Sequence, residues 1–143
     1  MATTFTLMST KPILCLDFDG VLHAYSSGWQ GADVIPDPPV PGAIAFLREA
    51  VKVFTVAIYS SRSHQPGGVD AMRAWLADWA ARESAPPDDL GFLERLQWPQ
   101  AKPGAFVTLD DRALTFTGVW PDLNTLRAFR PWHKRATTGD ADP

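Results

Sequence analysis

The sequence carries one cysteine, three histidines, two tyrosines and no long apolar run. A lone Cys15 excludes an internal disulfide, and its place in the run Ile13-Leu14-Cys15-Leu16 suits a buried thiol in a reducing compartment. No window approaches the roughly 20 apolar residues that span a bilayer, and residues 1–10 hold neither a basic cluster nor a long apolar stretch. A soluble cytoplasmic protein with no membrane partner is the expectation. There is no excess of positive charge either: 13 Lys plus Arg against 16 Asp plus Glu give a net charge of −3, which excludes the broad cationic surface of a non-specific nucleic-acid binder and leaves room for a local basic patch. Internal repeats and low-complexity tracts are absent.

What is present is an ordinary globular composition. With 45% hydrophobic and 20% charged residues over 143 positions, the chain can fill one core and is too short for two. We read one domain over residues 1–132 and a frayed polar tail over 133–143. Residues 13–18 are an apolar, β-prone run broken by Asp17 and ending at Asp19-Gly20. Pro41-Gly42 opens a helix in which Ile44, Leu47 and Val51 recur at helical spacing. Residues 53–59 form a second strand, apolar almost throughout, as expected where a parallel sheet is covered on both faces. Val69, Met72, Leu76 and Trp79 mark an amphipathic helix over 69–83, with Trp75 beside the stripe. Asp88 can cap a short helix reaching about Leu96, residues 106–109 form a third strand, residues 114–116 a short fourth, and residues 122–129 a last helix. Trp98, Trp120 and Trp132 are assigned to packing. This strand and helix alternation predicts an α/β fold with a mainly parallel sheet flanked by helices.

In open parallel sheets ligands bind beyond the carboxyl ends of the strands. Here the first strand ends in Asp17 and Asp19, the second in Ser60, Ser61 and Arg62, and the third in Asp110 and Asp111. Two like charges about 4 Å apart repel by roughly 4 kcal/mol at an effective dielectric of 20, so such a carboxylate cluster needs a cation or a raised pKa. Mg²⁺ fits this supply of oxygen ligands and accepts a phosphate oxygen besides.

Leu16-Asp17-Phe18-Asp19-Gly20-Val21-Leu22 resembles the first motif of the haloacid dehalogenase superfamily, the aspartate-nucleophile phosphohydrolases. Ile58-Tyr59-Ser60-Ser61-Arg62 resembles its second motif, Lys102 its third-motif lysine, and Leu109-Asp110-Asp111 its acidic fourth motif. The four stand in the family's order and frame residues 12–117. The resemblance implies a three-layer Rossmann-like fold and phosphomonoester hydrolysis with Mg²⁺. Asp17 would be the nucleophile that becomes an aspartyl-phosphate and also a metal ligand. Asp19 would be the acid and then the base, with its backbone carbonyl on the metal. Ser60, with Ser61 as the alternative, would hydrogen-bond a phosphoryl oxygen, Lys102 would neutralise charge on the transferring group, and Asp111, supported by Asp110, would hold the metal.

Arg62 has two readings, a fork on the substrate phosphate or a pair with Asp70. His23 and His64 lie in loops flanking the strand ends, and Trp29 can line the mouth. The intervals between Asp19 and Ser60 and between Ser60 and Lys102 are too short for a cap domain, leaving only a flap within residues 21–40. An open site suits a phosphate on a large molecule, or a small substrate enclosed by a second subunit. Two alternatives accompany the phosphatase reading: a polynucleotide 3′-phosphatase, suggested by Ser60-Ser61-Arg62 and Asp110-Asp111-Arg112 but opposed by the net acidity, and a non-catalytic phospho-receiver or binding module.

Overall fold

The computed structural model describes residues 10–84 and 90–134. Three parallel strands form one sheet in the order β2-β1-β3: β1 (Ile13–Leu16), β2 (Thr55–Ile58) and β3 (Val107–Leu109). The first strand in sequence is therefore central, with Leu16 paired to Ile58 on one side and to Leu109 on the other. Leu14, Cys15 and Leu16 are buried, as are Val56, Ala57 and Ile58, which accounts for the unbroken apolar runs.

Helix α1 (Ala43–Val53) follows Gly42, whose φ of 89° sets the sharp entry that a side chain would resist. Its buried stripe of Ala43, Ile44, Leu47, Ala50 and Val51 packs toward β2. Ile44 and Leu47 each contribute about 2–3 kcal/mol by burial. Helix α2 (Gly68–Glu83) buries Met72, Trp75, Leu76 and Ala80, so Trp75 faces the core and Trp79 lies at its rim. The helix must start on glycine, because a Cβ at Gly68 would collide with the Arg62 carbonyl. A 3₁₀ turn (Gly91–Arg95) precedes Gln97, which extends the sheet beyond β2 by one bridge to Ala57. Asp88, expected as its cap, lies outside the described residues. Helix α3 (Leu123–Arg127) is capped by Asp122, whose side chain accepts from the Asn124 and Thr125 amides. No described helix is long and apolar enough to cross a membrane.

Two expectations are corrected here, the strand at 114–116 and the packing of Trp120. Residues 114–116 form no strand. The third apolar run does form β3 but is exposed along its length, because no described helix packs on this edge of the sheet. Trp120 is 82% exposed, its ring tilted against that of Phe116 at 4.8 Å rather than packed in the core. Together with Leu114, Leu123 and Leu126 these rings line an apolar groove of about 850 Å³. Trp132–Lys134 form a 3₁₀ turn whose Trp132 indole donates to the Gly20 carbonyl at 2.7 Å; residues 135–143 of the expected tail lie outside the described residues.

Candidate active site

The pairing of β1 continues past its last residue on both sides: the Asp17 amide donates to the Leu109 carbonyl and the Tyr59 amide to that of Leu16. Asp17 is thereby held at the carboxyl end of the central strand, between the ends of β2 and β3. The chain then turns sharply, with the Phe18 carbonyl accepting from the amides of Leu22 and His23. Gly20 makes the turn possible at φ 81°, and its bare face touches the neighbouring site residues: a Cβ there would collide with the Asp111 carboxylate and come within 2.7 Å of His133 Nε2. Gly20→Ala is therefore expected to lower stability by about 1–3 kcal/mol through strain and overpacking. A urea midpoint equal to that of the wild type would contradict this packing.

The structure brings together most of the residues singled out in the sequence. A cavity of about 170 Å³ is lined by Asp17, Ser60, Ser61, Lys102, Thr108 and Asp110, with Cys15 and Tyr59 completing it. Ser60 is buried and its Oγ accepts the Arg62 amide at 3.1 Å, which fixes the oxygen and leaves the hydroxyl proton free to be donated. Ser61 is exposed. Beside the cavity, one carboxylate oxygen each from Asp17, Asp110 and Asp111 lie within 4.8 Å of one another. Asp111 Oδ2 meets His133 Nε2 at 2.7 Å, whereas Oδ1, although buried, has no hydrogen-bond partner.

Burial, the hydrogen bond with Asp111 and the charges of Asp110 and Asp111 outweigh the Phe18 amide and push the Asp17 carboxyl from 3.8 up to about 8. Folding of the cation-free chain thus favours a protonated Asp17. That stabilisation is fully present below the unfolded value near 3.8 and is lost as pH rises through about 8. The melting temperature in chelator should fall between pH 5 and pH 8. Millimolar Mg²⁺ should raise it more at pH 8 than at pH 5, since an ion bound only by the folded state restores the lost stability. Equal Mg²⁺ shifts at the two values, or none, would exclude a cation between these carboxylates.

Asp19 stands apart from this cluster. Its carboxylate faces Arg62, which donates through Nε to Oδ2 at 2.9 Å and through Nη2 to Oδ1 at 3.1 Å, and His23, whose Nδ1 lies 2.8 Å from Oδ1. Burial alone would raise the Asp19 carboxyl, but these hydrogen bonds and charges together hold it below the usual carboxylate range. The tautomer of His23 follows from its other side: the Asp37 amide donates to Nε2 at 3.1 Å, so the ring proton sits on Nδ1 and is given to Asp19. Asp37 in turn accepts from the amide and hydroxyl of Ser27, closing the flap on itself.

Arg62 is wholly buried and is paired neither with Asp70 nor turned toward the cavity. Its Nη1 donates to the carbonyls of Gly31, Ala32 and Val34, and Trp29 covers the guanidinium at 4.7 Å. The arginine thus ties the flap to Asp19. Of the two histidines near the strand ends, His23 is built into this network and His64 is exposed. Sequence reasoning missed Asp37 and His133; neither lies in a pattern that marks it, Asp37 standing within the 21–40 flap and His133 in the turn of Trp132–Lys134. Comparison with protein-family models, curated proteins and solved structures gave no match.

Proposed function

We propose that the chain is a Mg²⁺-dependent phosphomonoesterase of the haloacid dehalogenase kind, in a small Rossmann-like form without a cap domain, acting through Asp17. The observation that carries this reading is the joint cavity of Asp17, Ser60, Ser61 and Lys102, bordered by Asp110 and Asp111. The carboxylate cluster fits a divalent cation: it offers three oxygens in mutual reach, and a buried Asp111 Oδ1 without a partner is an otherwise costly group. Mg²⁺ held by Asp17, Asp110 and Asp111, with the Asp19 backbone carbonyl as a further ligand, would offset charge on the phosphoryl oxygens and keep Asp17 ionised.

Each residue then has a defined task. The Asp17 oxygen not engaged by the Phe18 amide attacks phosphorus, forming an aspartyl-phosphate as the bond to the leaving oxygen breaks. The Ser60 hydroxyl, fixed by the Arg62 amide, donates to a phosphoryl oxygen, and Lys102 supplies a positive charge at the cavity wall. Asp19 starts as a carboxylate; the approach of a phosphate dianion raises its proton affinity, so it takes up a proton from solvent and delivers it to the leaving oxygen, and later accepts one from the water that attacks the aspartyl-phosphate, which releases phosphate and frees Asp17. Oδ2, which meets only the Arg62 Nε, is the oxygen left for that transfer. Arg62 acts by holding Asp19 rather than by gripping phosphate.

The test is hydrolysis, with Mg²⁺, of an aryl phosphate, a set of phosphorylated metabolites and oligonucleotides phosphorylated at the 3′ or 5′ end. Turnover confined to the 3′-phosphorylated oligonucleotide would select the polynucleotide 3′-phosphatase alternative, and turnover of none would favour a binding module. Within the phosphatase reading, Ser60→Ala should lower kcat/KM by about 10²-fold, as for loss of one transition-state donor, and Ser61→Ala by far less. The reverse order would assign the phosphoryl contact to Ser61.

A further inference from the structure

The turn of Trp132–Lys134 reaches the carboxylate cluster from 22 positions beyond Asp111 and does so through a single side chain. We propose that His133 is a positioning residue for Asp111, an inference that rests on the cation site proposed above. The Asp111 side chain is 2% exposed and that of His133 5%, so their 2.7 Å contact is shielded from water. Since the carboxylate can only accept, Nε2 carries the proton and donates to Oδ2. With Oδ2 taken, Oδ1 is the oxygen without a protein partner and remains for the cation.

The imidazole is itself held on three sides. Tyr25 presents its ring edge-on at 5.7 Å, the Trp132 ring stands perpendicular at 5.6 Å, and the bare face of Gly20 admits the Nε2 edge. The Trp132 indole anchors the turn to the Gly20 carbonyl, which couples the histidine to the loop that carries Asp17 and Asp19. Tyr25 occupies a positive φ of 62°, rare for a side chain larger than Asn, and its ring makes edge contacts with both His23 and His133. Partners of this kind around metal-bound carboxylates commonly carry a 10–100-fold effect on metal affinity.

The experiment measures binding of Mg²⁺ by calorimetry and of Mn²⁺ by electron paramagnetic resonance on the full chain, without substrate. His133→Phe keeps a ring against Tyr25 and Trp132 but removes the donor, and is expected to weaken both ions by about 10–100-fold. His133→Gln, whose amide can still donate, is expected to bind within a few-fold of wild type. Affinity unchanged in His133→Phe, or equally poor in His133→Gln with a wild-type melt in chelator, overturns the role of His133. Should His133→Phe fail to fold, Trp132→Phe, which removes the indole anchor, is read the same way: weaker binding supports the proposal and unchanged binding overturns it. A wild-type chain that binds neither ion removes the cation site itself, whereas equal binding by wild type and variant removes only the part played by His133.

Discussion

Asp17→Asn is expected to reduce phosphomonoester turnover by about 10⁴-fold or more, the loss seen when a nucleophile is removed from a site whose other groups persist. The amide cannot attack phosphorus, yet its oxygen can still accept the Phe18 amide, so the β1 terminus keeps its geometry. The same change removes the carboxyl that burial and its acidic neighbours push up to about 8. In chelator the variant should therefore melt at or above the wild-type temperature at pH 8. The two readouts move in opposite directions, which separates loss of chemistry from loss of structure. Hydrolysis of an aryl phosphate by Asp17→Asn at the wild-type rate would remove the proposed mechanism.

Arg62→Ala is expected to be the most destabilising single change. It strips Asp19 of its buried counter-charge and leaves the carbonyls of Gly31, Ala32 and Val34 without their donor. Breaking one half of a buried ion pair costs about 3–5 kcal/mol, a large share of the 5–15 kcal/mol typical of a domain. Arg62→Lys should recover little, because one ammonium cannot serve Asp19 and the flap carbonyls at once. Far-UV circular dichroism and a denaturant series on both variants decide the matter. A phosphate-gripping arginine would instead leave stability unchanged and raise KM, and that outcome would reverse the assignment made here.

The parts legible in the sequence are those where local pattern and burial coincide. The run 13–16 is apolar because β1 is covered on both sides, and the carboxylates after it stand out because no core position tolerates them. The convergence of Asp17, Ser60, Ser61, Lys102 and Asp110 on one cavity follows from parallel strands ending at a common edge. The part of Arg62 was not legible. Its partners are Asp19, 43 positions away, and backbone carbonyls of a loop without period, and a carbonyl has no sequence signature. His133 was hidden among polar residues that by composition read as a tail. The short strand expected at 114–116 failed for another reason: alternating apolar residues there face a groove, not a neighbouring strand.

The central position of β1 has a consequence for how the molecule assembles. A ribosome delivers this strand first, with Leu14, Cys15 and Leu16 all destined for burial, while both flanking strands are still to be made. The Asp19–Arg62 link closes across 43 positions and the Gly20–Trp132 link across 112, so closure is dominated by distant pairings and folding is expected to be slow for a chain of this size. The carboxylates of Asp17, Asp110 and Asp111 come within reach of one another only when β3 docks. A nascent chain paused before residue 107 holds Asp17 and Ser60 but neither Asp110 nor Asp111, and exposes one edge of an apolar strand.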